Sequence, residues 1–590
     1  MCIRDSVYPE QLHKFVNPNF KTRISETEFQ SINSFNNMMK SNLNLKNLRG
    51  EGYYNVDVPD VIKTNILNNP SWYTAYTPYQ SEISQGRLEM IHNYQNIISI
   101  LTGLPLSNAG LLDESNASCE ALSMIKRSLG KKDKRDLVLI DKNLFPVVLD
   151  NLKFKCHTMS VDYKMIDFMQ EEEIIFTKLN ENKEQTFAII TQNPNHYGNT
   201  YFHQKINTWK VENNVKLILG TDLLYCIGFN TIKNIDADVV YGNSQRMGLP
   251  MGYGGPHTGF FSTKIEHLRF LPGKLVSQCK TYSGKDAYRM ALQNREQHVK
   301  KEKATSNICT SQVLLSILNA GYIMFNGFKE LQFEALRIYY LNYYLTSRLY
   351  KLGLQPMTTN IKYYFDTNWF YVNPEYITDI ESFNYNMKCY GYHINHDIRE
   401  FNGEPHLLLG INTSGFSNIN EVDNFVNDLI KECSIQGNNE FNFLKYNEHI
   451  LSEFHKYFLE IEISNNDARN YVKDNFYDIT SKVNNNDNNS NDNNSNNNND
   501  NLTSNITNIF NRELLQKSNH NILPLNSGMT ETELMRYLKK LENKDYTLTE
   551  GMIPLGSCTM KQNSSFSLSG LGNHNFVNSH PYEDIYDTLG

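Results

Sequence analysis

Between residues 71 and 330, short apolar runs recur with enough chain between them for a helix. They are Asp136–Asp141, Phe187–Thr191, Val215–Gly220, Asp238–Tyr241 and Gly259–Ser262. Runs this short, bounded by polar residues and rich in Val and Ile, suit buried strands better than helices. The segment Gln85–Leu101 carries helical periodicity instead. Repeated strand–helix alternation predicts an α/β fold: a large, mostly parallel sheet covered on both faces. Over residues 331–435 the pattern changes. A long helix at Leu331–Leu352 precedes the strand-like Trp369–Val372, Tyr392–His393 and Leu407–Ile411 and a last helix at Ile419–Cys433. These residues predict a smaller α+β domain packed on the first.

A chain of 590 residues exceeds one hydrophobic core. The modest net charge of -8, spread along the sequence, argues against binding driven by phosphate neutralisation, so no nucleic-acid partner is expected. No apolar run approaches the roughly 20 residues of a membrane span, so no membrane is expected either. The nine cysteines are scattered without CxxC spacing, which predicts free thiols, a reducing compartment and no metal site. The opening MCIRDS has neither signal-peptide nor transit-peptide character, and the last residues through Gly590 read as the beginning of a new segment. The chain is therefore expected to be incomplete.

Residues 1–70 read as an N-terminal helical arm. Ser25-Glu26-Thr27-Glu28 is a capping-type start before the stripe Phe29, Ile32, Phe35 and Met38-Met39. Residues 436–525 read as a linker, within which 484–501 is nearly pure Asn, Asp and Ser and has almost nothing to bury. A fresh start follows at 526–590. Thr530-Glu531-Thr532-Glu533-Leu534 echoes the arm, and Glu550-Gly551 stands about where Glu51-Gly52 stands in it. Two echoes in the same order predict a tandem duplication whose second copy has only begun.

Several segments could carry chemistry. Trp72–Gln80 packs four aromatics among hydroxyls, which suits either a pocket or interface, with Tyr76, Thr77 and Tyr79 as candidates, or plain core packing. Leu111–Ser118 leads into a helix whose N-terminal amides could attract phosphate, with Ser115, Asn116 and Ser118 as donors. Asp113 and Glu114 would repel an anion there, which favours a simple N-cap. Asp222 follows the strand Val215–Gly220, at the carboxyl end where open α/β sheets bind ligands, and can pair with a pyridinium nitrogen or be an ordinary loop acid. After Val239-Val240 the chain turns through Gly242, Asn243 and Ser244 into a glycine-dense loop that ends at His257. In enzymes that hold pyridoxal phosphate as a Schiff base, such a turn presents the lysine. Here Gln245 takes that place, and an amide cannot form an imine. The cationic stretch Arg289–Ser306 reads as a helix and turn, either a guide for an acidic protein partner or a solvated face. Lys561, in Gly556–Lys561, precedes any second α/β domain and is a poor Schiff-base candidate. With Cys558 it reads as part of an arm crossing between halves.

Five blocks carry a resemblance. They are NNPSWYTAYTPYQSEISQGRLE (68–89), LTGLPLSNAGLLDE (101–114), GNSQRMGLPMGYGGPH (242–257), MALQNREQHVKKEKATSNICTSQ (290–312) and YLKKLENKDYTLTEGMIPLGSCTMK (537–561). In these the chain closely resembles the glycine dehydrogenase (decarboxylating) family, the P-proteins of the glycine cleavage system. The resemblance implies two homologous halves with the fold of type I pyridoxal-phosphate transferases, the first without cofactor. The cofactor would be bound by the second half, through a lysine beyond Gly590. It also implies glycine as substrate, the lipoyl arm of H-protein as aminomethyl acceptor, pairing of the halves in a dimer or heterotetramer, and a mitochondrial location. The Asn-rich insertion departs from the family pattern. Two other readings stay open: a non-catalytic scaffold subunit, or another fold-type I amino-acid decarboxylase. The second would need a lysine in or beside Asn243–Arg246, where none stands.

Overall fold

The computed structural model describes residues 27–433 with breaks at 41, 74–76, 131, 230, 294–295, 305–307, 309–311, 359–363, 373–375, 378 and 402–403, then 525, 528–553, 566, 568, 570 and 573–583. Tyr76, Cys558, Lys561, the tract 484–501 and Gly590 lie outside the described residues.

The arm enters as helix α1 (Glu28–Met39), started by a reciprocal cap: the Gln30 amide donates to the Thr27 hydroxyl, and Thr27 N–H donates to the Gln30 side chain. Lys46-Asn47 then pairs with Tyr392-His393, tying the entering chain to the smaller domain. Helix α2 (Gln85–Thr102) follows, ended by Gly103 in the left-handed conformation.

Seven strands form the large sheet: β1 (Leu106–Ser107), β2 (Leu137–Asp141), β3 (Asp162–Ile166), β4 (Thr186–Gln192), β5 (Lys216–Gly220), β6 (Val239–Asn243) and β7 (Gly259–Thr263). Their order is β3-β2-β4-β5-β6-β7-β1, parallel from β3 to β6, with β7 antiparallel to both neighbours. Alternate residues feed opposite cores, as a strand's period of two demands. Leu137, Leu139, Ile189, Leu217, Leu219 and Val240 face the layer that contains α2. Val138, Ile140, Ile190, Ile218, Val239 and Tyr241 face helix α3 (Glu114–Ser128) through Ala117, Ala121 and Ile125. The central strands are covered on both sides, hence their continuous apolar runs. Edge strand β3 has no such run, because Asp162, Tyr163 and Lys164 are exposed.

Two expectations are corrected here. Among the described residues Arg289–Ser306 is not one helix: Val276–Lys280 and Asp286–Met290 form a hairpin, and short helical turns stand at Gln297–Lys300 and Lys301–Lys303. Leu292 at φ +52° and Lys301 at φ +51° interrupt any continuous helix. The helix expected from Leu331 begins at Val313, so a boundary at 330 falls inside it. This α4 (Val313–Lys351) bends where Gly327 takes φ +74°, ψ 163°. Its first part packs in the large core through Ile317 and Ile323, and its last turns carry Leu345 and Leu349 into the smaller one.

The smaller sheet is antiparallel, in the order β8-β9-β11-β10, from β8 (Gln355–Pro356), β9 (Thr367–Val372), β10 (Asn395–Phe401) and β11 (Glu404–Asn412). Helix α5 (Ile419–Glu432) covers it with Val422, Phe425 and Leu429.

Residues 528–553 fold onto the large domain. Helix α6 (Glu531–Glu542) opens with the reciprocal cap seen in α1, here between Thr530 and Glu533. Leu534, Leu538 and Leu541 are buried in the α2 layer, each stabilising the contact by about 2 kcal/mol. Asp545 then caps α2, whose own Ser84 makes no side-chain cap. Its carboxylate accepts from Gly86 N at 2.6 Å, Arg87 N at 3.2 Å and Arg87 Nη1 at 2.9 Å. Position 86 must be glycine, since a Cβ would stand 2.1 Å from the Leu541 carbonyl oxygen.

Candidate functional site

Asp222 and Gln245 leave the carboxyl ends of β5 and β6, where parallel sheets open their ligand crevice. Gln245 is fully buried, and its amide behaves like a stretch of backbone. Oε1 accepts from Tyr54 N at 3.0 Å, while Nε2 donates to Tyr54 O at 2.9 Å and Leu249 O at 2.6 Å. The turn therefore points into the protein and holds the entering segment 51–54 against the sheet.

Arg246 occupies the crevice beside it. Its guanidinium pairs with Asp222 at 3.2 Å and with Asp366 from the smaller domain, and lies 3.4 Å from the Tyr54 ring centre. Burial pushes the Asp222 carboxyl up while Arg246 pulls it down. The Arg246 guanidinium titrates well above its ordinary value despite burial, because Asp222 and Asp366 face it. A cation wedged between two buried carboxylates and stacked on an aromatic face is fixed in place.

The remaining space is lined by Glu51, Glu114, Asn195, His196, Asp222 and Asp366 among others, and has room for only one or two water molecules. No lysine lines it. Glu114, in the first turn of α3, is buried, and burial with Asp222 and Asp113 nearby pushes its carboxyl up to about 8. Opposite, burial would raise Glu51, but Arg49 and His196 hold it below the usual carboxylate range. His196 stands 3.3 Å from Glu51, and burial lowers its own value.

The other sequence candidates lie apart from this crevice lining. Ser115 donates to Asp113 at 2.9 Å, and Asp113 accepts the Asn116 amide at 2.7 Å, so the start of α3 is capped by its own acid. Tyr79 belongs to a buried cluster in which Lys274 donates to its hydroxyl at 2.6 Å and pairs with Glu296. Thr77 is buried. His257 places Nε2 3.0 Å from the Met251 carbonyl, and its ring is 5.5 Å from Tyr53. Of the candidates among the described residues, only Asp222 lines the crevice. Sequence reasoning named Glu114 only as an acid that repels anions, and missed Arg246, Asp366, Glu51 and His196. Arg246, adjacent to Gln245, was the one with a signal.

The glycine loop meets residues 577–579. Gly252 N donates to Val577 O at 2.8 Å and Tyr253 N to Ser579 O at 3.0 Å. His580 stands 3.1 Å from the Gly50 carbonyl, and Tyr582 stacks under the Arg49 guanidinium at 4.8 Å.

With that geometry in view, residues 3–390 match the family described as glycine cleavage system P-protein. The chain belongs to that family. A putative mitochondrial glycine dehydrogenase (decarboxylating) of Schizosaccharomyces pombe is 36% identical over 98% of this chain and 50% of its own length. A mitochondrial glycine dehydrogenase (decarboxylating) of Solanum tuberosum is 32% identical over 96% of this chain and 47% of its own. The chain spans about half the length of the curated relatives it matches. A crystal structure of glycine decarboxylase (P-protein) of the glycine cleavage system, in inhibitor-bound form, superposes with a TM-score of 0.62 at 25% identity, covering 71% of this chain and 92% of that one. A glutamate decarboxylase of Lactobacillus brevis shares the fold, with a TM-score of 0.51 at 12% identity over 71% of this chain and 95% of its own. The fold is that of type I pyridoxal-phosphate enzymes, and the P-protein family accounts for the matching blocks. Among the described residues no helix is long and apolar enough to cross a membrane.

Proposed function

We propose that this chain supplies the cofactor-free half of a glycine dehydrogenase (decarboxylating), acting in glycine decarboxylation with transfer of the aminomethyl group to the lipoyl arm of H-protein. The observation that carries the reading is the Gln245–Arg246 turn. Pyridoxal phosphate, when bound, supplies an electron sink for decarboxylation, but the residues present here do not fit it. The Schiff-base position is an amide engaged with Tyr54. The acid suited to a pyridinium nitrogen is taken by Arg246. The helix end suited to a phosphate carries Asp113 and Glu114. The lysine that holds the cofactor would then stand in a second homologous half, of which residues 526–590 are the beginning.

This half would contribute walls rather than the reacting group. The loop Gly252–His257, bonded to Val577 and Ser579, would face the partner half and keep water from its pocket, whereas Trp72 and Thr77 of the aromatic segment are buried in this half. Exclusion of water favours loss of CO2 over premature protonation at the substrate carbon. Glycine, lipoylated H-protein and pairing of the halves as a dimer or heterotetramer come with the family. A mitochondrial location follows the fission-yeast and potato relatives, whose names carry that word.

The test is glycine–bicarbonate exchange. The chain alone should show none. Mixed with an intact lysine-bearing second half and lipoylated H-protein it should support exchange, strongly dependent on the lipoyl group. Full-rate exchange by the second half without this chain would reduce it to a scaffold and refute the proposal.

A further inference from the structure

Arg246 is held from three sides. Asp222 follows β5 of the large sheet and Asp366 precedes β9 of the smaller one, so the two carboxylates that grip the guanidinium belong to different domains. The third side is aromatic: the guanidinium lies 3.4 Å from the Tyr54 ring centre and 5.6 Å from that of Phe365. The side chain is 5% exposed, so water screens these attractions little. A buried ionic group of this kind adds little net stability, because desolvation offsets the attraction. What it fixes is the arrangement of its partners.

Tyr54 ends a short segment that runs from the smaller domain to the glycine loop. Leu48 O accepts from Asn412 N, at the end of β11, at 2.7 Å. Asn47 Nδ2 donates to Tyr53 O at 2.9 Å and lies 3.4 Å from Met251 Sδ. The Tyr53 ring packs on His257 at 5.5 Å, and on His580 and Tyr582 at 5.5 and 5.8 Å. Gln245 fixes the backbone of Tyr54, and Arg246 fixes its ring. A displacement at the guanidinium therefore reaches the loop Gly252–His257 through two adjacent tyrosines.

We propose that Arg246 is a positioning residue for the partner half's reaction: it ties the two domains of this half together and, through Tyr54 and Tyr53, sets the loop Gly252–His257 as a wall. The inference rests on the proposed function and adds the residue that holds the wall in place. Without that residue, water would reach the substrate carbon. The bond to the carboxyl carbon would break as before, but its electron pair would take up a proton. Glycine would then leave as CO2 and methylamine, whose atoms together are those of glycine, with no oxidant needed. With water kept out, the same carbon passes to the lipoyl arm.

The test measures methylamine and CO2 released from glycine by the full-length two-half protein with lipoylated H-protein. Arg246→Ala should raise methylamine per CO2 by about tenfold, since a misplacement of about 1 Å can divert turnover by as much as ~100-fold. The KM for glycine should stay unchanged, because this half supplies the wall and not the reacting group. Guanidinium chloride at a non-denaturing concentration should bring the ratio back by refilling the space between Asp222 and Asp366. Arg246→Lys should not, since an ammonium lacks the planar fork that pairs with both acids and stacks on Tyr54. Asp366→Asn keeps the shape and should raise the ratio in the same direction, by less. It decides the question where Arg246→Ala fails to fold. An unchanged ratio in folded Arg246→Ala would overturn the inference, as would a raised ratio that guanidinium leaves in place. Where that variant does not fold, an unchanged ratio in Asp366→Asn does the same. A wild-type protein that releases no CO2 from glycine would instead refute the proposed function. With wild-type activity present, an unchanged ratio sinks only the role of Arg246.

Discussion

Glu114 shows how far one residue can depart from the chemistry its position suggests. The first turn of α3 could receive an anion, yet it carries a buried acid whose carboxyl is pushed up to about 8 by burial first and by Asp222 and Asp113 next. The unfolded chain releases this proton above about 4.5, whereas the folded protein retains it toward 8. Stability contributed by this group therefore falls as pH rises across that window. Glu114→Gln keeps the shape and removes the titration. The variant should gain on the wild type between pH 5 and pH 8 by up to about 1.4 kcal/mol per pH unit, read from urea unfolding at both ends. Parallel pH dependences for the two proteins would show that Glu114 ionises freely.

At the scale of elements, the N-terminus of α2 depends on Asp545, more than 450 residues further along the chain. Arg87 and Asp545 are both buried, and burial moves each toward its neutral form: Arg87 down, and Asp545 up to about 6. Such a pair adds little net stability, but losing one partner strands the other and two backbone amides besides. Asp545→Ala should cost about 3 kcal/mol in the unfolding of the first large domain, and the double variant Arg87→Met/Asp545→Leu should recover part of it. An Asp545→Ala protein of unchanged stability would mean that α6 is not integral to this core. Elements of this kind were unevenly legible. The central strands were readable because burial on both faces demands continuous apolar runs, as in Leu217–Leu219. Edge strand β3 was not, since one exposed side lets Asp162 and Lys164 replace such a run. The cationic stretch misled because charge says nothing of the backbone reversal at Leu292. In the site, Gln245 could be read from the turn that presents it. Its neighbour's partnership with Asp366 joins residues 120 apart, through packing of two domains that no local pattern encodes.

For the whole molecule, one fold recurs with its central group exchanged. The large sheet, the crevice at the ends of β5 and β6, and the acid after β5 match an architecture that elsewhere binds pyridoxal phosphate. Here Arg246 fills the crevice with a cation of the protein's own, and Gln245 turns its amide inward to hold Tyr54. On the proposed reading the family's chemistry would belong to a second half, and Val577 and Ser579 lie against Gly252 and Tyr253. Borohydride reduction of the purified 590-residue chain in pyridoxal phosphate, followed by peptide mapping, tests this most directly. The account predicts no stoichiometric phosphopyridoxyl-lysine at any single site. One lysine of this chain labelled to completion would contradict it.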